Sequence, residues 1–130
     1  MAVATGLRGE AEMVVGDDDT ARALGSGTVD VLGTPRLVAL CEEASCRAID
    51  PALEEGTTTV GMKVGLDHLQ PSPVGERVVA EAVLSKVEGR RLTFSVSASD
   101  SRGLVAAGKV QRVIVDVERF MAKCRPAPAG

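Results

Sequence analysis

The sequence predicts an α+β fold in which a curved antiparallel sheet wraps around one long central helix. Hydrophobic side chains recur with the 3.6-residue period of a helix over residues 34–48. They recur with the two-residue period of strands over 57–69, 77–87, 92–98 and 104–115. Short turns rich in Pro, Gly and Asp separate these strands, which is typical of an antiparallel sheet that buries one face. The helix is the element that best covers that face.

Composition limits the chain to one ordinary globular domain. Its 130 residues carry 15 Lys and Arg against 18 Asp and Glu, a net charge of −3, and 45% of them are hydrophobic. We expect a single domain over 1–130, with a disordered Pro/Ala tail at 126–130. The acidic balance, two phenylalanines and absence of Trp and Tyr argue against a nucleic acid partner.

The sequence also argues against several other classes of protein and site. No apolar run approaches the ~20 residues that a bilayer requires, and the first residues do not resemble a secretory signal. Cys41, Cys46 and Cys124 are odd in number and form no Cys-x-x-Cys pair, which argues against a disulfide framework or a zinc site. We therefore expect a cytoplasmic protein with no membrane partner, no metal and no cofactor.

The first elements follow from local signals. A short strand over 9–15 precedes an acidic, Gly-rich segment with a turn or short helix at 17–19. Thr34 suits the N-cap of the long helix and Pro35 its first position, because the missing N–H of proline costs nothing there. The helix should end near Ala48, before Asp50-Pro51.

The first long strand separates apolar from polar side chains. One face carries Val60, Met62, Val64, Leu66 and His68, and the other carries Thr59, Gly61, Lys63, Gly65 and Asp67. Three more strands continue the meander, and a short amphipathic helix over 117–123 closes the fold. A sheet wrapped around one helix in this way is the hot-dog arrangement. Because its sheet edges stay open, we expect a dimer that pairs two sheets.

The helix carries two carboxylates in different settings. Spacing at 100° per residue predicts a core stripe of Leu37, Leu40, Cys41, Ala44 and Ala48, bordered by Val38 and Ile49. Glu43 lies opposite this stripe and should form a solvated i,i+4 pair with Arg47. Glu42 lies at the margin of the buried face without a basic helical neighbour. It is either a boundary residue in water or a functional acid at a crevice.

Three further residues have both a structural and a functional interpretation. Thr34 is explained as a helix cap, although a hydroxyl and amides at a helix start can also hold a carbonyl oxygen. His68, the single histidine, is a structural residue or a general base. Arg112 interrupts an apolar strand face and needs an anionic partner, either a carboxylate or a ligand phosphate. Thr34 and Glu42 lie about 12 Å apart along the helix, so they share a site only through a ligand or two subunits.

An ordered set of residues resembles the fluoroacetyl-CoA thioesterase family of hot-dog proteins. The resemblance spans about residues 31–125 and rests on Thr34, Glu42, Gly61, His68, Pro73-x-Gly75, the run Val-Glu-Gly-Arg-Arg at 87–91, and Arg112. It implies a homodimer that hydrolyses acyl-CoA thioesters at its subunit interface. It also implies that Thr34, Glu42 and His68 are catalytic, and that Gly61 and Arg112 lie near the substrate.

The resemblance leaves the substrate and one alternative function open. The namesake of the family has lid phenylalanines before its catalytic threonine, whereas residues 25–33 contain no aromatic side chain. We therefore do not expect selectivity for fluoroacetyl and expect a broader or different short acyl chain, with acceptance of fluoroacetyl-CoA itself left open. The alternative is a non-catalytic acyl-CoA binding or sensor protein, which would not need Glu42 and His68 together. Carrier-protein thioesters and a tetramer of paired dimers stay open.

Overall fold

The computed structural model describes residues 2–128, which form a five-stranded antiparallel sheet and two helices. In chain order the elements are β1 (Arg8–Val14), α1 (Thr34–Ile49), β2 (Thr57–His68), β3 (Arg77–Glu88), β4 (Arg91–Asp100), β5 (Gly103–Asp116) and α2 (Val117–Ala122). Residues 126–128 are exposed and belong to no helix or strand, and the rest of the predicted tail lies outside the described residues. Neither helix is long and apolar enough to cross a membrane.

The sheet has the strand order β1-β3-β4-β5-β2, and every neighbouring pair is antiparallel. The predicted α+β fold is confirmed, but one part of the predicted meander is wrong. β2 does not pair with β3, because β1 occupies the free edge of β3. β2 instead pairs with β5 and forms the opposite edge of the sheet. It therefore has a free hydrogen-bonding edge.

The core lies between α1 and the inner face of the sheet. All five side chains of the predicted helix stripe are buried, and so are the predicted inner residues of β4: Leu92, Phe94, Val96 and Ala98. Ile49, expected at the border of the stripe, is also fully buried. Ser45 is a buried polar residue that the pattern missed, and its hydroxyl donates to the Cys41 carbonyl at 2.9 Å. Gly9 lets β1 approach the helix backbone, since a Cβ atom there would overlap Ala44 and Ala48.

β2 contains a bulge at Met62, and this corrects the predicted alternation. The pairing with β5 shifts between Gly61 and Lys63, so Met62 is an extra residue in the strand. One extra residue exchanges the two faces of the strand beyond it. The residues that face the helix are therefore Thr59, Gly61, Val64, Leu66 and His68. The predicted face that joined Val60 and Met62 to His68 is wrong, and Met62 is exposed.

Candidate active site

Thr34 and His68 contact each other where α1 begins and β2 ends. The Thr34 hydroxyl oxygen lies 2.8 Å from Nδ1 of His68, a hydrogen-bonding distance. The other ring nitrogen, Nε2, is buried and has no hydrogen-bond partner within residues 2–128. Because buried polar atoms normally have a partner, this nitrogen is available to a group from outside the chain.

Thr34 is not the N-cap that the sequence predicted. Gly33 is the N-cap, and its carbonyl accepts from the N–H groups of Arg36 and Leu37, both at 3.1 Å. Pro35 is therefore the second helical residue. Gly33 is enclosed by the preceding segment, since a Cβ atom there would lie 2.8 Å from Cδ1 of Leu24. The helix thus begins one residue earlier than predicted, and the hydroxyl of Thr34 bonds to His68 instead of capping the helix.

The Thr34–His68 pair lines an open pocket of about 280 Å³. Its other walls come from the segment before α1, including Val29 and Val31, and from the connection after β2, including Leu69. These three side chains are aliphatic, and polar side chains complete the lining, so the pocket offers both apolar and polar surface beside the imidazole. A larger pocket of about 650 Å³ lies where β2 starts and β5 ends, and it contains none of the predicted site residues.

Glu42 and Arg112 form a second cluster. Nη1 of Arg112 donates to Oε2 of Glu42 at 2.8 Å, and the side chains of Arg112 and Glu42 are 9% and 31% exposed. Nε and Nη2 of Arg112 donate to the hydroxyl and the carbonyl of Thr59, both at 2.9 Å. Of the two anionic partners that the sequence allowed for Arg112, the structure contains the carboxylate. These charge-assisted bonds hold Glu42 in one position.

Gly61 belongs to this second cluster. A Cβ atom at Gly61 would lie only 2.5 Å from Oε2 of Glu42, so the glycine leaves room for the carboxylate. Gly65, which the predicted alternation put on the same face, lies on the other side of the bulge and has open space beside it. Thr59 is a site residue that sequence reasoning missed, because the alternation assigned it to the polar outer face. Assigning Thr59 to the site would have required predicting the bulge at Met62, because the bulge decides which residues of β2 share a face with His68.

The two cysteines of α1 do not add a nucleophile to the Glu42 cluster. Burial, with a smaller contribution from the charge of Glu42, raises the pKa of the Cys41 thiol to about 11. Burial likewise raises the pKa of Cys46, although Arg112 and Thr59 partly oppose this rise. Both thiols are therefore protonated at neutral pH and weakly nucleophilic. Residues 2–128 also contain no group of His, Cys, Asp and Glu that could hold a metal ion.

The predicted site residues thus fall into two clusters in one chain. Thr34 joins His68, and Glu42 joins Gly61 and Arg112. No hydrogen bond or ion pair between described residues connects the two clusters. Thr34 and Glu42 are separated by a rise of about 12 Å along α1. Glu43, in contrast, pairs with Arg47 at 3.5 Å on the exposed face, as predicted.

Known proteins are similar to this chain in sequence and in fold. A family profile described as fluoroacetyl-CoA-specific thioesterase matches residues 15–118. The chain is 38% identical over 102 residues to the fluoroacetyl-CoA thioesterase of Streptantibioticus cattleyicolor, which covers 78% of this chain and 73% of that protein. The solved structure of the fluoroacetyl-CoA thioesterase FlK is 33% identical with a TM-score of 0.90, covering 96% and 97% of the two chains.

A second solved structure is similar to this chain in sequence and in fold. A thioesterase superfamily member from Thermus thermophilus is 32% identical with a TM-score of 0.88, covering 95% of this chain and 91% of that one. The family match contains both clusters, since every predicted site residue from Thr34 to Arg112 lies within 15–118. The resemblance found in the sequence, and the hot-dog fold that it implies, are confirmed.

Proposed function

Since the chain belongs to the fluoroacetyl-CoA-specific thioesterase family and is an acyl-CoA thioesterase, we propose that it hydrolyses a short acyl-CoA. We propose Thr34, Glu42 and His68 as the catalytic residues. Gly61 and Arg112 lie beside the substrate in this proposal. The observation that carries it is the hydrogen bond between Thr34 and His68, which leaves Nε2 of the imidazole buried and unpaired among residues 2–128. A proton carrier needs such a nitrogen.

Each residue has a defined task in the proposed reaction. Thioester hydrolysis needs a nucleophile at the acyl carbon, a proton carrier and a donor to the carbonyl oxygen. Glu42 attacks the acyl carbon or removes a proton from the water that attacks it. His68 transfers a proton to the sulfur as the carbon–sulfur bond breaks, so that CoA leaves as a thiol. Thr34 orients the carbonyl oxygen through its hydroxyl and its own backbone N–H, because Pro35 has no N–H and those of Arg36 and Leu37 donate to Gly33. If Glu42 attacks, water then hydrolyses the resulting anhydride and frees the carboxylate, whereas if Glu42 acts as a base, water adds to the acyl carbon directly. In both routes water supplies the hydroxyl of the free acid, and its remaining proton replaces the one that His68 gave to the sulfur.

We also propose that the active site forms between two protomers. Glu42 and the Thr34–His68 pair are too far apart in one chain to contact each other directly. β2 carries residues of both clusters and forms an open sheet edge, where pairing with a second copy would satisfy the free backbone groups. A two-fold dimer through this edge would bring Glu42 of one protomer towards His68 of the other.

The pocket beside His68 supports a short aliphatic acyl group as the substrate. Val29, Val31 and Leu69 supply apolar surface, and the described segment before α1 contributes no aromatic side chain to the lining. These lining residues therefore do not restrict the acyl group to one as small as fluoroacetyl. We expect acceptance of several short acyl chains instead of selectivity for one.

Measuring free thiol release from acetyl-, propionyl- and longer acyl-CoAs tests this function. We expect turnover that is fastest with the short chains. Glu42→Gln and His68→Ala should each lower kcat by at least ~10²-fold, the usual effect of a positioned acid or base. Glu43→Gln is the matched control, because Glu43 lies on the exposed face of the same helix. Tight binding of acyl-CoA without thiol release would support the sensor alternative, and unchanged turnover in both variants would contradict the assigned roles.

A further inference from the structure

Ser72 connects the two segments that carry Thr34 and His68. It is a fully buried residue in the connection between β2 and β3, four residues after His68. Its carbonyl accepts the N–H of Leu32 at 2.8 Å, and Leu32 lies two residues before Thr34. The Ser72 hydroxyl donates to Oδ2 of Asp100 at 2.9 Å. One residue therefore links the start of α1, the end of β2 and the end of β4.

Asp100 fixes the position of Ser72 from the far side. The side chain of Asp100 is 0% exposed. Its carboxylate accepts from the backbone N–H of Arg102 at 2.8 Å and from Nη2 of Arg102 at 3.0 Å, besides the bond from Ser72. Arg102 also donates to the carbonyl of Pro71, next to Ser72 in the chain. A buried carboxylate is costly unless its bonds are satisfied, and here several donors satisfy it.

These contacts reach the pocket at His68. Leu69 and Pro71 line that pocket, and the Leu69 N–H donates to the Val105 carbonyl at 2.7 Å. The distance between Thr34 and His68 depends on how α1 and β2 are joined at this end, because the two residues lie on different elements. A misplacement of about 1 Å at a reacting group can cost ~10²-fold in rate.

We propose that Asp100, acting through Ser72, is a positioning residue for the Thr34–His68 pair. The inference rests on the proposed function, because the pair is the proton-transfer centre of that proposal. No hydrogen bond between described residues joins Asp100 to Thr34 or His68. It holds Ser72, whose carbonyl in turn holds the segment that leads into Thr34.

The kinetic test uses Ser72→Ala and Asp100→Asn. Ser72→Ala removes only the bond to Asp100 and leaves the Arg102 bonds in place, so folding should be retained. In each of the two variants, we expect kcat for a short acyl-CoA to fall about 10-fold while KM changes less than about twofold. In a His68→Ala background, Ser72→Ala should cause no further loss of kcat, because residues that act as a unit are not additive. A purely structural role would give the same loss in both backgrounds and would overturn the proposal.

A spectroscopic test is independent of activity, since His68 is the only histidine in the sequence. The imidazole ¹H and ¹⁵N resonances of untagged protein therefore report on one residue. Ser72→Ala should shift them, and unchanged resonances would overturn the proposal. Glu76→Ala is the control, because it removes the contacts of Glu76 with Ser101 at the same turn but does not touch Ser72. A wild-type protein that releases no thiol would end the proposed function, whereas the resonances would still decide the positioning role.

Discussion

At Gly61, the smallest possible side chain would already reach the carboxylate of Glu42. Gly61→Ala should displace Glu42 from its position beside Arg112, because the new Cβ atom would lie 2.5 Å from Oε2. The atom that must move is the end of a flexible side chain, so we expect a change in stability below about 1 kcal/mol. We expect kcat to fall at least ~10-fold, since a displaced group loses its alignment with the reacting carbon.

Thiol release and urea unfolding, measured on the same preparation, test this expectation. Gly65→Ala is the control, because a Cβ atom at Gly65 meets nothing within 4 Å. Wild-type turnover by Gly61→Ala would show that the position of Glu42 beside Arg112 has no part in catalysis.

Thr34 gives a second prediction at the same scale. The sequence explained it as a helix cap, and loss of a cap costs about 0.5–2 kcal/mol. Because Gly33 is the N-cap and the Thr34 hydroxyl bonds to His68, Thr34→Ala should lower the free energy of unfolding by less than about 0.5 kcal/mol. It should nevertheless lower kcat at least ~10-fold, and Thr34→Ser, which keeps the hydroxyl, should retain most activity. A stability loss typical of a cap, with normal turnover, would restore the original interpretation.

At the scale of elements, the difference between β4 and β2 shows what the sequence could predict. β4 alternates without interruption from Leu92 to Ala98, and its inner face was predicted correctly. β2 was predicted wrongly over its first half, because a bulge is set by the pairing of two strands and not by the hydrophobicity of one. Because of the same bulge, Thr59 and Gly61 lie on the face of β2 that carries His68. The hydrophobic pattern of a sequence thus predicts which residues of one strand share a face, but it does not predict the register between two strands.

The turn between β4 and β5 gives a prediction about pH. Burial raises the pKa of Asp100, but hydrogen bonds from Arg102 and Ser72 together lower it below its usual value. A lowered pKa means that the ionised form is favoured by folding, so its stabilisation is present above about pH 4 and is lost as the pH falls through the folded pKa. Wild type should therefore be more stable than Asp100→Asn near neutral pH, and the difference should narrow in acid.

Urea midpoints of both proteins, measured at several values between about pH 7 and pH 3, give this difference directly. Glu43→Gln, which alters an exposed ion pair, should differ little from wild type throughout. A difference between wild type and Asp100→Asn that stays constant into acid would mean that the charge of Asp100 does not stabilise the turn.

For the whole molecule, the central question is how the two clusters combine. One chain holds Thr34 with His68 and Glu42 with Arg112, but it does not bring the two sets together. The sequence identified all of these residues through spacing and resemblance. The sequence analysis brought them into one cleft only by assuming a second subunit. Subunit assembly depends on the complementarity of two surfaces, which the hydrophobic periodicity of a sequence does not predict. The open edge of β2 is the surface that this assumption requires.

Mixing inactive variants tests whether each active site uses two protomers. In a dimer of Glu42→Gln with His68→Ala, one site would carry both changes and the other would keep every wild-type group. Half of the dimers in an equal, fully exchanged mixture are mixed, so about one quarter of wild-type activity should return. Thr34→Ala mixed with His68→Ala is the control, because these residues share a cluster within one chain and no intact site can form. Thiol release after co-refolding measures both mixtures, and a Glu42→Gln and His68→Ala mixture that stays inactive would place the whole site in one protomer.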